Sequence, residues 1–202
     1  MKMIDINEIK KYELYLAYLM PKLEKFFQEQ SPYICCKEGC SHCCEKGEYP
    51  FSELEFAYIM YGSKSLTPQI INELNNNISQ IKQAQKNNTT NNKFLYKCPF
   101  LINKRCVVYN FRGLICRTHG LAFFDKNNKL VVPACVDKGL NYSNVYNFEK
   151  QNLSSKKCKE LGIKQEPLAH NVGLHFILDN SITNQLKINF GDSKSLIDWF
   201  ED

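Results

Sequence analysis

The sequence predicts a mainly α-helical protein with a small irregular cysteine-rich metal-binding hub and one short β-hairpin. Helix-start signals and helically spaced apolar residues occupy 5–30 and 52–85. Strand signals are short and confined to the middle of the chain. Most of the ten cysteines among the 202 residues lie in stretches with neither period.

Taken in order, Ile6, Ile9, Leu16 and Leu19 give residues 5–30 a partial apolar helical face, and Pro21 is expected to kink that helix or start a second one. Residues 31–51 carry the first cysteine cluster and no period, which predicts a loop wrapped around something. Ser52-Glu53-Leu54-Glu55 reads as a capping box opening a helix to about Tyr61. Thr67-Pro68 supplies an N-cap and a first-turn proline for the next helix. That helix carries Ile70, Ile71, Leu74, Ile78 and Ile81 on one stripe and ends near Gln85. Residues 87–93 are polar and predict a mobile linker. Asn88-Thr89-Thr90 matches a glycosylation acceptor but is read as surface loop, because no secretion signal is found.

Arg105–Tyr109 reads as a strand. Leu121–Phe124 and Lys129–Val132, joined by Asp125-Lys126-Asn127-Asn128, read as the hairpin. Helix is expected again over about 143–161 and 193–201. The expectation is a single domain over 1–202, with a cysteine-cluster core at about 31–140 and helical flanks at 1–30 and 143–202.

Composition narrows the function. Asp5, Glu8, Lys10, Lys11 and Glu13 interrupt any apolar stretch near the N-terminus, so no signal peptide is read, and the longest run nearby, Leu14 to Met20, is too short to span a membrane. The expected location is the cytoplasm, where thiols stay reduced and clustered cysteines imply metal or catalysis rather than disulfides. Five bridges in a secreted protein are the competing reading. The net charge of +5 is mild and the lysines are scattered. The sequence therefore predicts neither a membrane nor a nucleic acid among its partners.

The cysteines carry the chemistry. The first cluster places Cys36, Cys40, Cys43 and Cys44 around Gly39. The second is spread over Cys98, Cys106, Cys116 and Cys135. Thiolates two or three residues apart can bend around one ion, and a distant pair can close the shell. Adjacent Cys43 and Cys44 diverge in an extended loop, which suits a polynuclear cluster or two neighbouring sites. Eight thiolates could fill two four-sulfur sites, or hold one 4Fe-4S cluster plus one zinc. Cys35 and Cys158 read as plain thiols. The spacing of Cys36, Cys40 and Cys43 is also that of radical-SAM enzymes, but the repeated βα units of their barrel are missing.

Arg105, Arg112 and Arg117 are the only arginines in a lysine-rich chain, and they fall among the later cysteines. Guanidinium groups stay protonated and can offset the charge of a thiolate site, so these three are read as supporting the cofactor. His42 and His119 could each replace a thiolate. Tyr109 and Phe100 are expected to pack over the hub. His170 and His175 read as structural or surface residues.

With these residues in view, the chain resembles the YkgJ-type cysteine-cluster proteins, a zinc- or iron-chelating domain family. The matching stretches are Cys36-x3-Cys40-x2-Cys43-Cys44, Cys98-Pro-Phe-Leu, Cys106-Val-Val-Tyr109, Arg112-x3-Cys116-Arg117 and Cys135. They cover about 36–135. The family's first spacing is often two residues where this chain has three, and its common Arg-Pro pair is here Arg112-Gly113. The resemblance implies metal chelation by those eight cysteines, with zinc or an iron–sulfur cluster as cofactor and a protein as possible partner or substrate. It also opens an enzymatic alternative: cluster-assisted methyl transfer to protein lysine, as in the flagellin lysine N-methylases that carry a similar domain. No glycine-rich nucleotide loop supports a conventional methyl-donor site.

Overall fold

The computed structural model describes residues 5–89 and 93–200. In chain order its elements are α1 (Ile6–Glu29), α2 (His42–Glu45), β1 (Pro50–Ser52), α3 (Glu53–Ser63), α4 (Pro68–Lys86), β2 (Leu101–Ile102), β3 (Arg105–Cys106), α5 (Leu114–Thr118), β4 (Phe123–Phe124), β5 (Leu130–Val131), β6 (Tyr146–Asn147), β7 (Asn152–Leu153), α6 (Ser155–Glu160), α7 (Leu174–Leu178), α8 (Ser181–Gln185) and β8 (Ser193–Ser195). Short 3-10 turns lie between them. Helix makes up about half of the chain, and the strands form four small antiparallel pairs. A mainly α protein with a short β-hairpin is therefore what the chain forms.

The chain divides into two compact units, each assembled from separated segments. The first gathers the residues up to Lys10, then Gly39–Cys116, then the residues from Asn189 onward. The second gathers Lys11–Glu38 and Arg117–Ile188.

In the first unit, α3 starts where its capping box demands. Ser52 Oγ accepts from the Glu55 N–H at 3.3 Å, and Glu55 Oε2 accepts from the Ser52 N–H at 3.0 Å. Thr67 caps α4 through the Ile70 N–H, with Pro68 in the first turn. The stripe on α4 is only partly used: Leu74 is buried, Ile78 and Ile81 pack against the core, and Ile71 stays exposed. The core centres on Phe51, Phe56, Ile59, Phe100, Leu196 and Ile197. β1 and β8 pair with Phe51 opposite Lys194, and Trp199 Nε1 donates to the Phe51 carbonyl at 2.9 Å.

In the second unit, α1 buries Tyr12, Tyr15, Leu16, Leu19 and Leu23. Their spacing of three and four residues is that of one helical face. A further core joins Tyr33, Ala122, Tyr142, Val145 and Cys158. The β4–β5 hairpin pairs Phe123 with Val131 and Phe124 with Leu130. Asp125 Oδ1 builds its turn by accepting from the N–H groups of Asn127 and Lys129, each at 2.9 Å.

Several elements depart from the sequence reading. α1 runs unbroken through Pro21, which removes one helical hydrogen bond donor, while the buried face continues to Leu23. The strand expected over Arg105–Tyr109 is only Arg105–Cys106, and the chain then turns through Tyr109–Phe111. Residues 143–161 hold the β6–β7 pair before a short α6, and 193–201 opens with β8 instead of helix. Of the linker expected at 87–93, residues 90–92 lie outside the described residues, as does Thr90 of the glycosylation match. Among the described residues, no helix is long and apolar enough to cross a membrane.

Candidate metal centre

Four segments of the first unit carry thiols toward one another. α2 holds Cys43 and Cys44, whose sulfurs are 3.8 Å apart. The Cys98 N–H donates to the Cys44 carbonyl at 2.8 Å, and the Gly47–Tyr96 bridge aligns the two segments. β2 and β3 pair Leu101 with Cys106. Cys116 lies on α5, its N–H bonded to the Gly113 carbonyl at 3.1 Å. Cys98, Cys106 and Cys116 pack against the unit's hydrophobic core, whereas Cys43 is exposed.

The acidities of these thiols record their neighbourhood. A hydrogen bond from the Cys44 thiol lowers Cys43 to about 7; burial opposes this, and the charge of Arg112 adds to it. Cys44 is pushed up first by that same bond, then by burial and by the charges of Cys43, Cys98 and Cys116. Burial raises Cys98 to about 12, with Cys106 and Cys43 adding. Burial also raises Cys106 and carries Cys116 well above the ordinary thiol range, where Cys98, Cys106 and Cys43 reinforce it. Cys44, Cys98, Cys106 and Cys116 are thus each held back by neighbouring thiolates, whereas the Cys44 thiol assists Cys43. Each proton lost makes the next harder to remove unless a cation takes its place.

Cys40 is the third cysteine of the first cluster that falls in this unit, and it is exposed, one residue after Gly39 at φ +84°. Cys36 and Cys135 belong to the second unit. There Asn141 is almost fully buried; its Nδ2 donates to Cys36 Sγ at 3.2 Å and to the Gly120 carbonyl at 3.0 Å. Asn141 Oδ1 accepts from the Cys35 N–H at 2.7 Å. Cys135 sits in a 3-10 turn, and its carbonyl accepts from the Leu140 N–H at 3.2 Å. Cys158 is fully buried, bonded to Tyr33 Oη at 3.0 Å and to the Ile163 and Gln165 carbonyls. Cys35 is exposed. Among the described residues, which include all ten cysteines, no disulfide forms.

The three arginines separate. Arg112 stacks on the Tyr109 ring at 3.8 Å, donates to the Tyr109 carbonyl at 2.7 Å, and lowers Cys43 and Cys106. Arg105 is exposed on β3. Arg117 is buried in the second unit, donating to Met20 Sδ at 3.4 Å. Phe100 is buried beside the thiols as expected, whereas Tyr109 is 60% exposed. Sequence reasoning missed Tyr49, a core residue whose hydroxyl donates to the Cys43 carbonyl at 3.2 Å. Burial first pushes the pKa of its hydroxyl above the ordinary tyrosine value, and the charges of Cys98, Cys44, Cys116 and Cys43 add to this. It missed Glu55 too, whose carboxylate charge acts on Cys116. Of the histidines, His42 and His175 are exposed. His119 and His170 are lowered by burial, and their Nε2 atoms are buried without a hydrogen-bond partner.

Two sulfurs of a tetrahedral thiolate shell, with zinc–sulfur bonds of about 2.3 Å, lie about 3.8 Å apart. The Cys43–Cys44 separation equals that edge. Among the described residues, however, no group of three or more His, Cys, Asp and Glu side chains stands ready to hold a metal ion. Comparisons with protein families, with curated proteins and with solved structures found no match.

Proposed function

We propose that this protein binds a thiophilic metal, zinc or an iron–sulfur cluster, through cysteine thiolates of its first unit. The observation that carries the reading is the mutual electrostatic influence of Cys43, Cys44, Cys98, Cys106 and Cys116, brought in by four separate segments. A partly buried set of acidic groups that resist joint ionisation is relieved by a bound cation, which displaces their protons. Cys43 and Cys44 already have the spacing of one coordination edge. The remaining sulfurs would have to close on the ion as it binds. Arg112 would temper the residual negative charge, and Tyr49 and Phe100 would keep water from the buried side. Cys40, in the same unit, belongs to the same proposal as a further ligand, as does the kinship with YkgJ-type chelating domains; Cys36 and Cys135 lie in the second unit and are not part of this site.

Anaerobic purification with metal analysis tests it. The expected result is at least one zinc or iron per chain: colourless protein for zinc, brown protein with broad visible absorption for iron–sulfur. Metal-free protein that never met chelator or oxidant would contradict it.

A further inference from the structure

Glu55 is 1% exposed, yet its carboxylate is shared between two helices of the first unit. Oε2 accepts from the Ser52 N–H at 3.0 Å and from Ser52 Oγ at 2.7 Å. Oε1 reaches fifty-nine positions along the chain to accept from the Leu114 N–H at 2.7 Å. Leu114 is the first residue of α5, and its N–H is one of the donors that a helix start leaves without an intrahelical acceptor. Two residues on is Cys116. Gly113 makes the approach feasible: a Cβ there would stand 2.9 Å from Glu55 Oε1 and 2.1 Å from Phe51 Cε1.

We infer that Glu55 is a positioning residue that clamps the first turn of α5 and so fixes Cys116 within the thiol cluster. Its capping-box bonds to Ser52 anchor the carboxylate on α3, and the bond to Leu114 transmits that anchor to the cysteine-bearing turn. A glutamine at 55 must set its NH2 group against either the Ser52 or the Leu114 N–H, so it cannot serve both. The role of Cys116 as a ligand rests on the metal reading above; the clamp itself does not.

The test is per-cysteine iodoacetamide labelling, read by mass spectrometry, on the full chain kept reduced and metal-free. E55Q is expected to speed labelling of Cys116 at least tenfold and leave Cys158, in the other unit, unchanged. S52A removes one of the two Ser52 bonds to Oε2 and leaves the carboxylate on the N–H groups of residue 52 and Leu114, so it is expected to speed Cys116 labelling by less than a third of the E55Q effect. Equal rates in E55Q and wild type overturn the inference, and so does a rise in S52A as large as that in E55Q, or a rise shared by Cys158. Should E55Q not fold, hydrogen exchange on the unaltered chain decides: a protected Leu114 amide supports the clamp and a freely exchanging one refutes it. Cobalt(II) titration separates this inference from the metal reading. Tenfold weaker binding by E55Q supports the clamp. Wild-type protein that binds no cobalt sinks the metal reading and leaves the labelling to decide the clamp.

Discussion

Replacing Asn141 by leucine should destabilise the second unit by about 3 kcal/mol. The side chains have the same heavy-atom count and branching, so the change removes the hydrogen bonds while keeping the shape of the side chain. Three are lost: to Cys36 Sγ, to the Gly120 carbonyl and from the Cys35 N–H. Cys36 is exposed and water can replace its partner. The two backbone groups are less well served, and an unsatisfied buried group costs ~1–3 kcal/mol, so together they cost about 4 kcal/mol. Burying leucine returns about 1 kcal/mol. Cys158, fully buried in the core of the same unit, is a built-in reporter. Pulse alkylation of its thiol across a urea series gives the unfolding midpoint. With an m-value of about 1.5 kcal/mol/M, the midpoint should fall by about 2 M. A fall below ~0.5 M would refute the assignment of Asn141 as the tie between the Cys35–Cys36 segment and the turn at Gly120.

Other outcomes follow from the same geometry. Burial depresses His119 and His170, so the unfolded chain takes up their protons first. Stability is then complete above the unfolded histidine value, about 6.5, and declines below it by up to ~1.4 kcal/mol per pH unit for each histidine. The Cys158 urea midpoint should accordingly drop between pH 7.5 and 5.5, and a flat profile would count against this. In metal-free protein the alkylation rate of Cys43 should inflect near pH 7, with Cys44→Ala raising the inflection more than Arg112→Ala. The reverse order would show that the Cys44 hydrogen bond is not the main cause. Gly62→Ala places a Cβ 2.1 Å from Phe111 Cγ, and the overpacking should cost ~1–3 kcal/mol despite alanine's better helix propensity. A raised thermal midpoint would mean that the Phe111 ring has room to move.

Features written in local sequence were legible. The Ser52–Glu55 box and the Thr67-Pro68 start depend on residues within a turn of each other, and both form as read. The β4–β5 hairpin was legible because Asp125 makes its turn from its own side chain. The β6–β7 turn uses the same device, with Asn147 Oδ1 accepting from Glu149 and Lys150. It was missed because Phe148-Glu149-Lys150-Gln151 reads as helix and Gln151 adopts φ +50°. β1 and β8 were invisible for another reason: Pro50-Phe51-Ser52 and Ser193-Lys194-Ser195 have too few apolar alternations to signal strand, and their pairing spans most of the chain. In the candidate site, motif spacing selected cysteines but carried no information on their partition between two discontinuous units. Glu55 was hidden because it read only as part of a cap, which it also is, and Tyr49 because it lies in a stretch read as a loop without a period.

The most direct test of the account is native mass spectrometry of anaerobically prepared protein, wild type beside a Cys98→Ser/Cys116→Ser variant. Wild-type chains should carry a stoichiometric mass excess of zinc or an iron–sulfur cluster, and the variant should lose it while remaining folded. A wild-type mass equal to that of the bare polypeptide, or an excess that survives the double substitution, would contradict metal binding by these thiols.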